Sequence, residues 1–135
     1  MVTSLFYFYS DTYNQVNLIF EIESTYLNVE TAIPCGMIIN EIVTNSFKYA
    51  FKDQQRGEIK ISLKADSPQK YNLMIHDNGI GFPENFNWEE TQSLGLNLVK
   101  LLSRQLDGSI QLETDGVGVG FHLIFHELRY KSLKK

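Results

Sequence analysis

The hydrophobic and polar positions of this chain repeat with two different periods, and these periods predict an order of elements. Apolar residues at helical spacing mark two stretches, Pro34 to Phe51 and Ser93 to Asp107. Alternation typical of strands marks five others: residues 16–23, 58–64, 71–77, 109–114 and 120–127. We therefore predict an α+β fold, a two-layer sandwich with a mixed, mostly antiparallel sheet and helices on one face.

The first predicted helix carries both an apolar stripe and a polar row. Pro34 suits its first turn, after a loop over residues 27–33. The apolar stripe consists of Ile39, Ile42, Val43, Phe47 and Ala50. Glu41, Asn45 and Lys48 stand at i, i+4 and i+7, so a turn of about 100° per residue places them on one narrow face.

This polar row has the chemistry of a phosphate site. Its side chains supply a base or water-orienting group, a neutral oxygen ligand for a hard cation and a counter-charge for phosphate. The alternative interpretation is the solvated side of a surface helix, where a polar row is ordinary.

The strand over residues 71–77 ends in Asp77, which the alternation places on the inward side. An inward carboxylate is costly to bury without a partner. It suits an acceptor for an amino-bearing ligand such as adenine, with Gly79 and Gly81 letting the backbone approach that ligand. The alternative is a simple Asp-Asn-Gly turn.

The second predicted helix begins at Ser93, a candidate capping hydroxyl, close to Gly95 and to first-turn amides that suit a phosphate. Gly108 is its predicted C-terminal stop. Residues 84–93 (ENFNWEETQS) resemble a short mobile loop, and DGVGVG predicts a hairpin turn. The predicted apolar stripe of this helix is Leu98, Leu101, Leu102 and Leu106.

Composition narrows the class of protein. The chain has 135 residues, 43% hydrophobic and 21% charged, which suits one globular domain. Its net charge of -4 argues against a nucleic-acid partner. Cys35, the single cysteine, excludes an intrachain disulfide and a cysteine-rich zinc site, and favours a cytoplasmic setting. No apolar run approaches the roughly 20 residues that span a bilayer and no signal peptide is visible, so we expect a soluble chain without membrane contact.

Four segments together resemble the ATP-binding domains of the gyrase, heat-shock chaperone, histidine kinase and MutL superfamily. IINEIVTNSFKYAF resembles the N box, DNGIGF the first glycine box, SLGLNLVKLL the second, and GVGVGF a degenerate last glycine segment. Within the superfamily, NEIVTNSFKYAF and SLGLNLVKLLSRQLDGSI resemble sensor histidine kinases of the HisKA_2-associated type. The resemblance covers residues 16–127, which leaves 1–15 as the end of an upstream linker or helix and 128–135 as a basic tail.

The resemblance implies a role for each member of the polar row. Asn45 would bind the Mg²⁺ that bridges the nucleotide phosphates, Glu41 would polarise the incoming nucleophile, and Lys48 would contact phosphate. The lid side of the phosphates would be closed by three residues at the start of the second helix: Leu94, Gly95 and Leu96.

The resemblance likewise implies how the base is held. Asp77 would accept from the adenine amino group, Gly79 and Gly81 would shape the pocket, and Tyr49 would pack near the nucleotide. With the phosphate contacts, these residues would form one pocket for Mg-ATP.

The sequence departs from the family pattern at three points. Ser93 stands where the second glycine box usually has another glycine, which predicts fewer or water-mediated phosphate contacts. No separate phenylalanine-rich box is evident, although Phe82 and Phe86 would partly substitute. No phosphoacceptor histidine is apparent, because the histidines of this chain all fall in predicted strands: His76, His122 and His126.

The resemblance therefore implies an ATP-binding catalytic domain that transfers the γ-phosphoryl of Mg-ATP to a histidine on its own upstream dimerisation domain. A response regulator would be an indirect partner. The alternatives are an anti-sigma-factor serine kinase, a true ATPase of the gyrase or MutL sort, and an interaction module that has lost the nucleotide.

Overall fold

The computed structural model describes residues 16–23, 27–51, 56–82, 86–113 and 118–128. The predicted linker (1–15) and all but the first residue of the predicted tail (128–135) lie outside these described residues.

Within these described residues, five strands form one mixed sheet in the order β1-β2-β3-β5-β4. Their bounds are β1 Val16–Ile22, β2 Gly57–Ser67, β3 Lys70–Asp77, β4 Ser109–Glu113 and β5 Gly120–His126. Strand β1 pairs with β2 in parallel, and the other neighbours are antiparallel. The same part of the chain contains two α-helices, α1 (Val29–Asn45) and α2 (Leu94–Gln105). The predicted α+β class, element order and mixed sheet are confirmed.

The alternation of β3 explains how the two layers meet. Tyr71, Leu73 and Ile75 are buried, whereas Met74, on the opposite face, is 41% exposed. The buried side joins one core with both helices. Because successive side chains of a strand point to opposite faces, the same period carries Asp77 into the buried layer.

Helix α1 begins at Val29, so the prediction that it opens at Pro34 is wrong. The Asn28 carboxamide oxygen accepts a hydrogen bond from Thr31 N at 3.0 Å and caps the helix. The segment after β5 holds this start in place, because Leu128 N donates to Thr31 Oγ1 at 2.8 Å. Pro34 lies buried inside the helix, where it forgoes one helical hydrogen bond.

The other end of this element also differs from the prediction. α-Helical structure stops at Asn45 rather than continuing to Phe51, and Ser46–Ala50 form a π-helical turn. A π turn rotates the residues after Asn45 away from the positions that a continued α-helix gives them. Lys48 therefore does not extend the row of Glu41 and Asn45 with α-helical geometry.

Helix α2 begins at the predicted cap but buries a different stripe. Ser93 Oγ accepts from Leu96 N at 3.2 Å, as expected of a capping hydroxyl. Leu101 is 49% exposed, so its assignment to the buried stripe is wrong. The buried positions, spaced three to four residues apart, are Leu96, Val99, Leu102 and Leu106.

The end of α2 is a Schellman-type stop. Asp107, with φ of 53°, takes the left-handed conformation, and Gly108 N donates to Ser103 O at 2.9 Å. Gly108 is therefore not the left-handed residue of the stop. Its lack of a side chain serves packing instead, because a Cβ there would lie 2.7 Å from Ile124 O.

The predicted mobile loop before α2 contains a 3-10 turn, Trp88–Glu90, in its described part. The Trp88 ring meets Phe121 edge-on at 5.4 Å between centroids, and Lys100 Nζ lies 4.8 Å from the Trp88 ring centroid. These contacts fasten the turn to β5 and α2. Outside the turn, residues 86, 87 and 91–93 have no regular secondary structure, and the mobility of this loop stays a prediction. None of the described helices has both the length and the apolar composition to cross a bilayer.

Candidate functional site

A cavity of about 220 Å³ opens between the C-terminal part of α1, the end of β3 and the segment that leads into α2. Five of the residues predicted to bind nucleotide line it: Asn45, Tyr49, Asp77, Gly81 and Leu96. Its other described lining residues are Ile42, Ser46, Ala50, Phe82, Phe86, Thr91, Ser93, Val119 and Phe121. The fold thus brings Asn45 and Asp77 to one cavity from different layers.

At one end, which we call the Asp77 end, the carboxylate is 4% exposed and held by three hydrogen bonds. Asp77 Oδ1 accepts from Gly79 N at 3.0 Å and from Val119 N at 3.3 Å. Asp77 Oδ2 accepts from Ser46 Oγ at 2.9 Å. These bonds compensate much of the cost of burying a carboxylate and fix its orientation before any ligand arrives.

Close backbone approach explains two glycines around Asp77. Gly118 has φ of 80°, and a Cβ there would lie 1.9 Å from Asp77 O. Gly79 packs on the π turn, where a Cβ would lie 2.5 Å from the Ala50 carbonyl oxygen. Gly79 is therefore buried behind the cavity wall, whereas Gly81 lines the cavity itself.

At the opposite end, which we call the Asn45 end, two polar side chains of α1 face the start of α2. A Cβ built on Gly95 would lie 2.7 Å from Glu41 Oε1 and 3.8 Å from Asn45 Nδ2. The missing side chain at Gly95 is therefore what leaves room for Glu41. Within the described part of the chain, neither Glu41 nor Asn45 has a side-chain hydrogen bond or ion pair.

Ser93 lines the cavity beside this end, and its contacts bear on the departure from the family pattern. Its hydroxyl oxygen accepts from Leu96 N and its carbonyl oxygen accepts from Asn97 N at 3.0 Å. The Ser93 side chain therefore engages the Leu96 amide, whereas the Asn97 amide makes the first ordinary helical hydrogen bond. The expected reduction in direct phosphate contacts stays a prediction.

Five residues with predicted roles lie outside the described cavity lining: Glu41, Lys48, Gly79, Leu94 and Gly95. Lys48 is exposed on the π turn, and Leu94 is 87% exposed at the start of α2. Their contacts with phosphate remain predictions.

The remaining wall is aromatic. Phe82 and Phe86 stack with ring centroids 4.0 Å apart and planes 12° from parallel. Both rings line the cavity, where an apolar face suits a flat base. The two rings thus form an aromatic wall of the kind expected if they stand in for a phenylalanine-rich box.

Ser46 is a buried polar lining residue that was not predicted from the sequence. It lies between Ile42 and Ala50 at intervals of four residues, and both of these belong to the predicted apolar stripe. A hydroxyl at an apolar position, 5% exposed, needs a partner. That pattern was a usable signal that Ser46 has a partner, and the structure shows that the partner is Asp77.

The donor set fits Mg²⁺. The described residues contain no group of three or more His, Cys, Asp or Glu that would hold a metal ion by themselves. Mg²⁺ is commonly held by one or two protein oxygen ligands together with substrate phosphates. The carboxamide oxygen of Asn45, with the Glu41 carboxylate near it, matches that pattern.

Comparison with known proteins relates this chain to histidine kinases and to the ATPase family that includes them. A model of the histidine kinase-, DNA gyrase B- and HSP90-like ATPase family matches residues 31–130. The chain is 29% identical over 90 residues to blue-light-activated histidine kinase 2 of Erythrobacter litoralis, and 35% identical over 86 residues to the sensor histidine kinase PdtaS of Mycobacterium tuberculosis. These matches cover 67% and 62% of this chain but 26% and 17% of the relatives. The chain thus spans about a quarter or less of the length of these relatives.

Solved structures of histidine kinases share this fold. The histidine kinase domain of the Erythrobacter litoralis EL346 blue-light-activated histidine kinase superposes with a TM-score of 0.82 at 20% identity, over 93% of this chain and 59% of that chain. The Acinetobacter baumannii histidine kinase AdeS gives 0.75 at 22% identity, over 95% and 62%. At these identities the likeness shows the fold.

Proposed function

Because the chain belongs to the histidine kinase-, DNA gyrase B- and HSP90-like ATPase family, we propose that it is the ATP-binding catalytic domain of a sensor histidine kinase. One observation carries this proposal: Asn45 and Asp77, which come from different layers of the fold, line the same cavity. A nucleotide with its base against Asp77 and its phosphates towards Asn45 spans that cavity.

At the Asp77 end, the carboxylate accepts a hydrogen bond from the exocyclic amino group of adenine. Its orientation is set by the bonds from Ser46, Gly79 and Val119, so little ordering is needed when the base binds. The stacked rings of Phe82 and Phe86 exclude water from one side of the base.

At the Asn45 end, the Asn45 carboxamide oxygen would hold Mg²⁺ together with the nucleotide phosphates. When bound there, the ion would supply positive charge that offsets the charge of the phosphoryl group. In this proposal Glu41, which lies beside Gly95, orients the attacking imidazole by accepting a hydrogen bond from the N–H of its other ring nitrogen, and it takes that proton as the phosphorus–nitrogen bond forms. Lys48, on the π turn, adds positive charge near the phosphates.

The nucleophile in this proposal is a histidine of a separate phosphoacceptor domain. The three histidines of this chain lie in β3 and β5, and His122 Nε2 is 2.9 Å from Asn72 Oδ1. Transfer breaks the bond between the γ-phosphorus and the β,γ-bridging oxygen and forms a phosphorus–nitrogen bond to the imidazole. ADP leaves with the bridging oxygen.

Two measurements test the proposal. Isothermal titration should show saturable binding of ADP that strengthens when Mg²⁺ is added. Incubation with γ-labelled ATP should leave the chain itself unlabelled, while a phosphoacceptor domain added in trans becomes labelled on histidine. Absence of adenine-nucleotide binding by the folded chain would refute the proposal, and sustained release of phosphate without an acceptor would favour an ATPase of the gyrase sort instead.

A further inference from the structure

The hydrogen bonds of Asp77 leave one acceptor site of its carboxylate open. An ionised carboxylate offers about four lone-pair sites, two on each oxygen. Oδ1 uses both of its sites on the backbone amides of Gly79 and Val119. Oδ2 receives one bond, from the Ser46 hydroxyl. The site left for a ligand is therefore on Oδ2, next to Ser46.

Ser46 is built into this position. It is the first residue of the π turn that follows α1, it is 5% exposed, and it lines the cavity together with Asp77. Its hydroxyl donates a hydrogen bond from the helical layer to Asp77 in the sheet, 31 positions along the chain. Among the described residues, every buried side-chain oxygen or nitrogen has a hydrogen-bond partner. The bond between Ser46 and Asp77 is what satisfies the Ser46 hydroxyl.

We propose that Ser46 is a positioning residue that sets the preference of the site for a base with an exocyclic amino group. This inference rests on the proposed function, because it assumes that the base binds at Asp77. By donating to Oδ2, the hydroxyl fixes the carboxylate and fills one of the two sites on that oxygen. The other site accepts a hydrogen from an amino group and repels a carbonyl oxygen.

Removal of the hydroxyl changes what the base meets. In Ser46→Ala, both sites on Oδ2 are open and water fills the space beside them. A water molecule donates one hydrogen to Asp77 and offers the other to a carbonyl group of the ligand. The variant therefore tolerates a 6-oxo base that the wild-type protein rejects, and its hold on a 6-amino base weakens.

The experiment compares ADP with inosine diphosphate (IDP). The two bases differ at position 6, where adenine has an amino group and hypoxanthine has a carbonyl group. Both are titrated with Mg²⁺ into the wild-type chain, Ser46→Ala and Ser46→Thr. We expect Ser46→Ala to bind ADP about fivefold more weakly and to lower the ADP-over-IDP affinity ratio by about tenfold. Ser46→Thr, which keeps the hydroxyl, should retain most of the wild-type ratio.

Ser103→Ala is the matched control. Ser103 is also a buried helical serine, 3% exposed, but its hydroxyl donates to Lys100 O in its own helix at 2.8 Å and it lies outside the cavity lining. We expect this variant to lose stability without changing the ADP-over-IDP ratio. A general loss of stability is thereby separated from a change in base preference.

Each outcome is decisive. An unchanged ADP-over-IDP ratio in folded Ser46→Ala overturns the inference while leaving the proposed function intact. Failure of the wild-type chain to bind ADP overturns the proposed function first. If Ser46→Ala does not fold, Ser46→Cys takes its place, because the thiol keeps a side chain of similar size but donates weakly; a wild-type ratio in that variant also overturns the inference.

Discussion

The two ends of the cavity differ in how far the fold has completed them. At the Asp77 end the carboxylate is 4% exposed and already accepts three hydrogen bonds. At the Asn45 end, Asn45 and Glu41 are half-buried, and among the described residues neither has a side-chain partner. The fold therefore supplies the hydrogen-bond partners of Asp77 before a ligand binds. At the Asn45 end, the proposed ligand would supply the partners instead.

Burial explains this difference. A carboxylate removed from water must be paired inside the protein, so the chain that buries Asp77 also has to supply Ser46 and two backbone amides. Side chains that keep part of their hydration have no such requirement. The Asp77 end is thus coupled to folding, whereas the Asn45 end would be completed by the Mg²⁺ and phosphates of the proposed ligand.

The largest expected effect is that of Asp77→Asn, which removes the negative charge at the Asp77 end. The asparagine carbonyl keeps the bonds from Gly79 and Val119, so its amino group then faces both Ser46 and the amino group of the base. The variant loses a charge-assisted acceptor, and it sets one hydrogen-bond donor against another. ADP binding should therefore weaken by at least about 100-fold, or about 2.7 kcal/mol.

Adenosine distinguishes the two ends in this experiment. Because it has no phosphates, its binding should be lost to the same extent as that of ADP in Asp77→Asn. Thermal unfolding monitored by circular dichroism checks that the variant is folded. Affinities for ADP within threefold of wild type would show that the base does not bind at Asp77.

A smaller effect is expected at the end that the ligand completes. Asn45→Ala removes the proposed Mg²⁺ ligand and should weaken ADP binding about tenfold when Mg²⁺ is present. Without Mg²⁺, or with adenosine, the affinity should stay close to wild type. Isothermal titration with and without a chelator measures both conditions.

Asn40→Ala is the control for this variant, since Asn40 lies on the same helix but outside the cavity lining. It should leave the Mg²⁺ dependence unchanged. Equal losses for adenosine and for Mg-ADP in Asn45→Ala would mean that the two ends are not separate, and the comparison between them would fail.

The fold was predictable where a local period decides it. Alternation along β3 placed Asp77 in the buried layer, and the order of strands and helices followed from similar patterns. The start of α1 was not predictable in this way. Pro34 is a favourable first-turn residue, but Asn28 N donates to a Glu127 carboxylate oxygen 99 positions away, and that contact helps to fix the true start.

The site was predictable in part, for a related reason. Glu41 and Asn45 share a face because α1 remains α-helical between them, and the family resemblance connected them to Asp77. The placement of Lys48 depended on the π turn after Asn45, which no residue preference announces. Ser46 was detectable as a hydroxyl on an apolar stripe, but its partner in the sheet was visible only in the folded chain.

The smallest expected effect on binding comes from Cys35, a buried residue of α1 outside the cavity lining. Burial raises the pKa of its thiol from 9.0 to about 11. Above pH 9 the unfolded chain therefore releases a proton that the folded chain keeps, so stability falls as the pH rises through this window. The free energy of unfolding should drop by about 1 kcal/mol more between pH 8 and pH 10 in the wild type than in Cys35→Val.

Urea titration at both pH values measures this difference, and isothermal titration at pH 10 connects it to the cavity. If the Asp77 end is held by its own hydrogen bonds, folded wild-type protein and folded Cys35→Val should bind ADP equally well at pH 10, although their stabilities differ. An affinity that follows stability instead would mean that base recognition depends on the packing of the whole of α1. The completeness of the Asp77 end would then be a property of the core rather than of Ser46, Gly79 and Val119.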